Sequence, residues 1–174
     1  MKKSFTMLMT GLSGAGKTTN AQLLSQELKK RGVPVQILDG DIIRKEIGNL
    51  FGYSREERNK VSKIHRFISK ILNENGISVV VAAISPYEEM REAYRNEIAD
   101  YLEVYIHCPI EVCIERDVKG LYQKALRGDV KHVIGVDELF EVPKAPDIML
   151  NTSVSTKEQN VAQIMNWLAS RDYV

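Results

Sequence analysis

Cysteine is scarce in this chain. Cys108 and Cys113 are its two cysteines, and the four residues between them match no zinc-binding spacing. A disulfide framework does not suit a chain of this kind, so both are expected as packed, reduced thiols. An excess of one charge is also missing. Lys and Arg number 24 against 23 Asp and Glu, so no bulk field points to nucleic acid or to a membrane surface. Long apolar runs are missing too, since the longest, Ile77 to Ile84, is far too short to span a bilayer. His65, His107 and His132 fall into no triad or metal pattern and are expected in structural or surface roles. The N-terminal stretch "MKKSFTMLMTGLSG" carries Lys2 and Lys3 but no signal-length apolar region and no cleavage site, so a cytoplasmic protein is expected. Repeats, low-complexity tracts and linkers are absent, and 174 residues suit one domain spanning 1–174.

What is present is an alternation of strands and helices. "FTMLMTG", "VPVQILDG", "ISVVVAAIS", "LEVYIHC" and "DIMLN" read as five strands, and the unbroken apolar character of the third suits a strand covered on both faces. Helices are predicted from Lys17 to about Lys30, with Leu23, Leu24 and Leu28 on one face, and from about Thr156 to Leu168. This order implies parallel pairing and right-handed crossovers, hence a three-layer α/β fold with a mainly parallel five-stranded sheet. The polar stretch 119–137 breaks the apolar rhythm and reads as a mobile lid. "GYSREERNKVSKI", residues 52–64, reads as a helix start. Ser54 and Glu57 form a capping box, Glu56 and Lys60 an i,i+4 pair, and Val61, Ile64, Ile68, Ile71 and Leu72 the predicted buried stripe.

"GLSGAGKT", Gly11 to Thr18, fits the phosphate-loop pattern G-x-x-x-x-G-K-[ST] in full, after a strand and before a helix. Glycines let the backbone wrap a phosphate chain, and the first N–H groups of the helix face the anion. Gly11, Ser13, Gly14, Ala15, Gly16, Lys17, Thr18 and Thr19 are the expected ATP-binding residues. Lys17 is suited to the β- and γ-phosphates and Thr18 to Mg²⁺.

Two uses of the nucleotide compete, phosphoryl transfer by a small kinase and hydrolysis by a switch, with a non-catalytic nucleotide-binding module as a further alternative. The third strand ends without an acid, and the guanine-reading N-K-x-D is absent. Acids lie instead in "LDGD", as Asp39 and Asp41, at the carboxyl end of the second strand, where ligands gather. Asp41 is placed to take a proton from an acceptor hydroxyl or to serve Mg²⁺. A turn followed by a helix N-cap is the rival use of this tripeptide. The kinase reading is the one favoured.

The segments "GLSGAGKTT", "LDGD", "GYS", "ISPY", "RDVKGLYQKALRGDVK" and "GVDELFEVP" follow one another as in adenylylsulfate kinases, which the chain resembles over nearly its whole length. The resemblance implies a P-loop kinase fold and transfer from Mg²⁺–ATP to the ribose 3′-hydroxyl of adenylyl sulfate, commonly by a homodimer. It places Asp41 near the transferred phosphoryl group and Ser85 of "ISPY" close to the phosphates, as catalytic candidates alongside Lys17. Arg44 and Arg58 match acceptor-holding arginines, and Lys119 and Lys124 the basic residues of the lid. Asp39, Tyr53, Ile84 and Val133 join them as expected acceptor-side residues. Arginine suits an acceptor carrying phosphate and sulfate, because its fork binds such groups bidentately and keeps its proton. Arg91 and Arg95 stand at helical spacing among glutamates, where surface pairing rivals an acceptor role.

The chain departs from the family on the acceptor side. Tyr53 replaces a phenylalanine, Val133 replaces a second one, Glu88 stands where a basic residue is usual, and the run after Arg58 is one residue shorter. Tyr53 keeps a stacking face and Val133 does not. Another nucleotide-linked acceptor, such as a cytidine diphosphoramidate, is therefore the alternative substrate.

Overall fold

A computed structural model describes residues 3–47 and 50–174; Lys2 lies outside them. Five strands form one sheet: β1 (Thr6–Thr10), β2 (Val35–Asp39), β3 (Ser78–Ala82), β4 (Tyr101–His107) and β5 (Ile148–Asn151). Their order across the sheet is β2-β3-β1-β4-β5, and every pairing is parallel. The helices are α1 (Lys17–Lys30), α2 (Gly40–Glu46), α3 (Arg55–Glu74), α4 (Glu88–Glu97), α5 (Ile110–Arg116), α6 (Leu121–Leu126) and α7 (Lys157–Ala169). The chain leaves β1 toward one edge, returns through β3, and crosses β1 to reach β4. The sheet's direction of growth therefore reverses beside β1, the switch point at which parallel sheets hold their ligands.

Side chains alternate across each strand, and both faces are covered. Met7 and Met9 of β1 join Val80 and Ala82 of β3 in one cluster with α1 and α7. Leu8, Val79 and Val81 point the other way, to a cluster with Tyr94 of α4 and with Ile68 and Leu72 of α3. Every residue of β3 is buried, as its continuous apolar run predicts. Cys108 and Cys113 are free and buried.

Helix α3 begins with the predicted capping box, Ser54 with Glu57, and Lys60 meets Glu56 at 2.6 Å. Its buried face agrees with the predicted stripe only in part, with Val61 buried and Ile68 and Leu72 packed against the core. The buried residues are Arg58, Val61, Ser62, His65, Arg66 and Ser69, while Ile71 is exposed. The physical reason is position. The first half of α3 covers the carboxyl edge of the sheet, where a polar cavity lies, and only its second half lies over apolar strand surface.

Neither of the two rival roles of Arg91, surface pairing and acceptor binding, describes its place. Arg91 is fully buried, donating to the carbonyls of Ser85 at 2.9 Å and Glu141 at 2.7 Å and to Glu88 at 2.9 Å. Its Nε lies 3.6 Å from buried Glu103 on β4, which Arg95 reaches at 2.9 Å from the half-exposed side. Burial pushes the Glu103 carboxyl upward and the two arginines oppose it. Removing one partner of such a pair leaves an uncompensated charge. Arg91→Met is therefore expected to lower the unfolding free energy by about 3 kcal/mol, read by urea denaturation, with Arg91→Lys recovering part of the loss.

Candidate active site

The phosphate loop joins β1 to α1. Gly11 has a φ of 154°, and a Cβ there would run into the carbonyl oxygen of Ile106, so glycine is required where the loop crosses β4. Gly16, with φ at 96°, releases the chain into α1 and aims its first N–H groups at the loop. Lys17 Nζ donates to the carbonyls of Gly11 at 2.9 Å and Leu12 at 2.7 Å. Burial, then the nearby Lys119 ammonium, push the Lys17 pKa down to about 8, against the pull of Asp41 and Asp39.

The two acids of "LDGD" divide. Asp39 is buried; its Oδ1 caps α2 by accepting from the amides of Asp41 at 3.0 Å and Ile42 at 3.3 Å. Its Oδ2 accepts the Thr18 hydroxyl at 2.6 Å. Asp41 is exposed and pairs with Lys119, which brings the start of the 119–137 segment across the loop. Thr18 and Asp41, grouped above for Mg²⁺, are thus not bonded to each other; the carboxylate beside Thr18 is Asp39. A hydroxyl and a carboxylate oxygen are hard donors of the kind Mg²⁺ takes alongside phosphate oxygens, so this pair fits the ion.

On the other side of Asp41, Arg44 donates to the carbonyls of Phe51 at 3.0 Å and Gly52 at 2.7 Å. Arg58 donates to those of Tyr53 and His132, both at 2.8 Å. The two guanidinium carbons lie 4.6 and 5.4 Å from the Tyr53 ring centre. Ser85 is buried with φ at 42°, a conformation costly for a non-glycine residue. Its carbonyl accepts hydrogen bonds from the Arg91 guanidinium at 2.9 Å and the Thr10 hydroxyl at 3.3 Å.

These groups border one cavity of about 990 Å³, near the upper end of the roughly 300–1,000 Å³ usual for a single small ligand. Among its described lining residues stand eight Lys or Arg side chains and one acid, Asp41. A cavity so charged suits ligands carrying several negative charges.

Of the predicted residues, Ser13, Gly14, Gly16, Lys17, Thr18, Thr19, Asp41, Arg44, Tyr53, Arg58, Ile84, Ser85, Lys119, Lys124 and Val133 line the cavity, and Gly11, Ala15 and Asp39 are not among its lining residues. Arg116, Thr152, His65 and His132 are among the lining residues that were not anticipated. Arg116 donates to the carbonyls of Gly14 at 3.3 Å and Thr152 at 2.8 Å, and Thr152 donates to that of Ala15 at 2.7 Å. The signals were available, since Arg116 opens the "RDVKGLY" segment and Thr152 follows a strand end. His65 and His132 had no such signal. His65 is buried under Gly40. Burial, then Arg44, hold its pKa down to about 4, with Asp39 opposing.

Comparison with known proteins gives a consistent result. The family pattern described as adenylylsulphate kinase matches residues 3–151. An adenylyl-sulfate kinase of Picosynechococcus sp. is 40% identical over 172 residues, covering 99% of this chain and 97% of the relative. One from Halothermothrix orenii is 39% identical over 173 residues, with 99% and 94% covered. Among solved structures, the APS kinase CysC of Mycobacterium tuberculosis, in complex with AMPPNP and APS, superposes with a TM-score of 0.93 at 32% identity, covering 97% of this chain and 99% of that one.

The histidine gives a test of the cavity floor. With a folded pKa of about 4 against roughly 6.5 unfolded, the unfolded chain binds the proton first. Stability is present above about pH 6.5 and is lost as pH falls to about 4. Between pH 7 and 4, His65→Leu should lose about 3 kcal/mol less than the parent chain, measured by urea unfolding at both pH values.

Proposed function

The chain belongs to the adenylylsulphate kinase family, and we propose that it transfers the γ-phosphoryl group of ATP to the ribose 3′-hydroxyl of adenylyl sulfate. The observation that carries this reading is the single cavity in which a complete phosphate loop faces Arg44, Arg58 and Tyr53 across Asp41. Cations on both sides of one exposed carboxylate suit two anionic substrates that meet at a hydroxyl.

In this reading Gly11 to Thr19 wrap the ATP phosphates, and Lys17 leaves the carbonyls of Gly11 and Leu12 for the β- and γ-oxygens. Thr18 and Asp39 would hold Mg²⁺, which would supply positive charge to offset that of the phosphates. Asp41 receives the proton of the acceptor hydroxyl as the oxygen attacks phosphorus. Lys119, already paired with Asp41, and Lys124 approach the transferred group from the 119–137 lid and offset the charge that develops there. Arg44 and Arg58 hold the acceptor's anionic groups, as a second fork of donors becomes available to each guanidinium. Ser85 and Ile84 border the reacting groups from the end of β3. The catalytic unit is taken as residues 1–174, acting in the cytoplasm and as a homodimer; no helix among the described residues is long and apolar enough to cross a membrane.

The substitutions at Tyr53 and Val133 alter the acceptor side and leave the phosphate loop complete, so a cytidylyl acceptor is the competing substrate. The two are separated by an ATP-consumption assay with adenylyl sulfate and cytidine diphosphoramidate side by side. Turnover with adenylyl sulfate at the higher kcat/KM is expected, and turnover with the cytidylyl compound alone would replace the assignment. Asp41→Asn should cut kcat by about 10²- to 10⁴-fold while nucleotide binding, followed by calorimetry, is retained. If Asp41→Asn is silent, Asp41 is not the base.

A further inference from the structure

Residues 83–87 join β3 to α4, and Ile84 and Ser85 within this connection line the cavity. Ser85 stands at a φ of 42°, a conformation that persists in a non-glycine residue only where its surroundings over-determine it. Part of that constraint comes from β1. The Thr10 hydroxyl donates to the Ile84 carbonyl at 2.6 Å, and the Gly11 amide donates to the same carbonyl at 3.4 Å. The rest comes from the far side, where Glu141, in the loop after the 119–137 lid, meets the connection through both its backbone and its side chain.

The Glu141 amide donates to the Pro86 carbonyl at 2.8 Å. Its carbonyl accepts from Arg91 Nη2 at 2.7 Å, and Nη1 of the same guanidinium holds the Ser85 carbonyl at 2.9 Å. Its carboxylate Oε2 accepts from the amide of Glu88, the first residue of α4, at 2.6 Å. Tyr87, at the N-cap of that helix, gives it no side-chain cap. A carboxylate 53 residues further along the chain caps it instead. Such a group satisfies an N–H that has no partner inside the helix and faces the positive end of the helix dipole. The remaining contact, from Oε1 to Arg55 Nη1 at 3.5 Å, is long and partly exposed, and pairs of that kind contribute little. The cap at Glu88, three residues after Ser85, is therefore the contact through which the side chain acts.

We propose that Glu141 is a positioning residue for phosphoryl transfer: by capping α4 from across the chain, it holds the 84–86 segment, and with it the strained Ser85, against the phosphate loop. Glu141 is not among the residues that line the cavity, so it acts through Ile84 and Ser85 and not on a substrate. This rests on the reading that those two residues border the reacting groups. A small displacement of groups at the point of reaction is costly in rate even when its source lies far from the chemistry. Because Glu141 follows the lid, the same cap also seats the lid's C-terminal root on the end of β3.

Glu141→Ala removes the cap, whereas Glu141→Gln keeps an oxygen that accepts from the Glu88 amide and loses the charge that faces Arg55. Steady-state kinetics with the full chain, ATP and adenylyl sulfate separate the two. Rates are read well below the thermal midpoint of each variant, where lower stability alone leaves kcat per folded molecule unchanged. E141A should lower kcat by about 10- to 10²-fold with KM for ATP unchanged, and E141Q should recover most of the loss. Parent-like kcat in E141A overturns the proposal while leaving the kinase reading intact, and marks Glu141 as a structural residue only. An E141Q variant as slow as E141A overturns the cap as the means of positioning. If the parent chain turns over no nucleotide-linked acceptor, the kinase reading fails and the proposal falls with it.

Discussion

A sheet whose strands all run parallel presents five carboxyl ends along one edge, and everything functional in this protein follows from that constraint. The phosphate loop leaves β1, Asp39 ends β2, Ile84 and Ser85 follow β3, and Thr152 follows β5. Because β2 and β1 flank β3 in register, Asp39 comes level with the start of α1 and takes the Thr18 hydroxyl at 2.6 Å. That bond ties the phosphate loop to the start of α2, where Arg44 is carried. The donor and acceptor sides of the cavity are thus parts of one hydrogen-bonded frame.

The frame gathers positive charge that the protein must keep available. Lys17, Arg44, Arg58 and Arg116 each donate to two backbone carbonyls. A carbonyl satisfies the donors without cancelling the charge, so an incoming anion meets cations that are oriented and not neutralised. A carboxylate partner would hold them far more tightly. Lys119 differs from these four in being paired with Asp41, and this contact joins the lid to the acid between the two sides. Behind the cavity the arrangement is the reverse. Arg91 is matched by Glu88 and Glu103, because a charge buried away from any ligand needs a permanent counterion.

Legibility in the sequence followed the range of the interactions. The phosphate loop was readable because its parts are contiguous: glycine geometry, helix N-terminus and lysine all act within eight residues. The five strands were readable from apolar runs, and the bounds of α1 and the capping box at Ser54 from local preference. The inner face of α3 was read in part: Val61 is buried and Ile68 and Leu72 pack on the sheet as expected, but the cavity beneath the first half of the helix also buries Arg58, Ser62 and His65. Arg91 was legible only as either a surface residue among glutamates or an acceptor ligand, since its partner Glu103 arrives only on the next strand.

The residue types alone therefore determined the chemistry on offer: a phosphate-binding loop, carboxylates at a strand end, and arginines suited to an anionic acceptor. Which carboxylate meets Thr18, which arginine lines the cavity and which meets a glutamate, and that Arg58 bridges Tyr53 and His132 were decided only by tertiary structure. Each depends on bringing together groups far apart in the chain, as Arg58 and His132 are at 74 residues' separation. Such contacts are fixed by strand order and helix position, and those are set by the packing of both faces of the sheet.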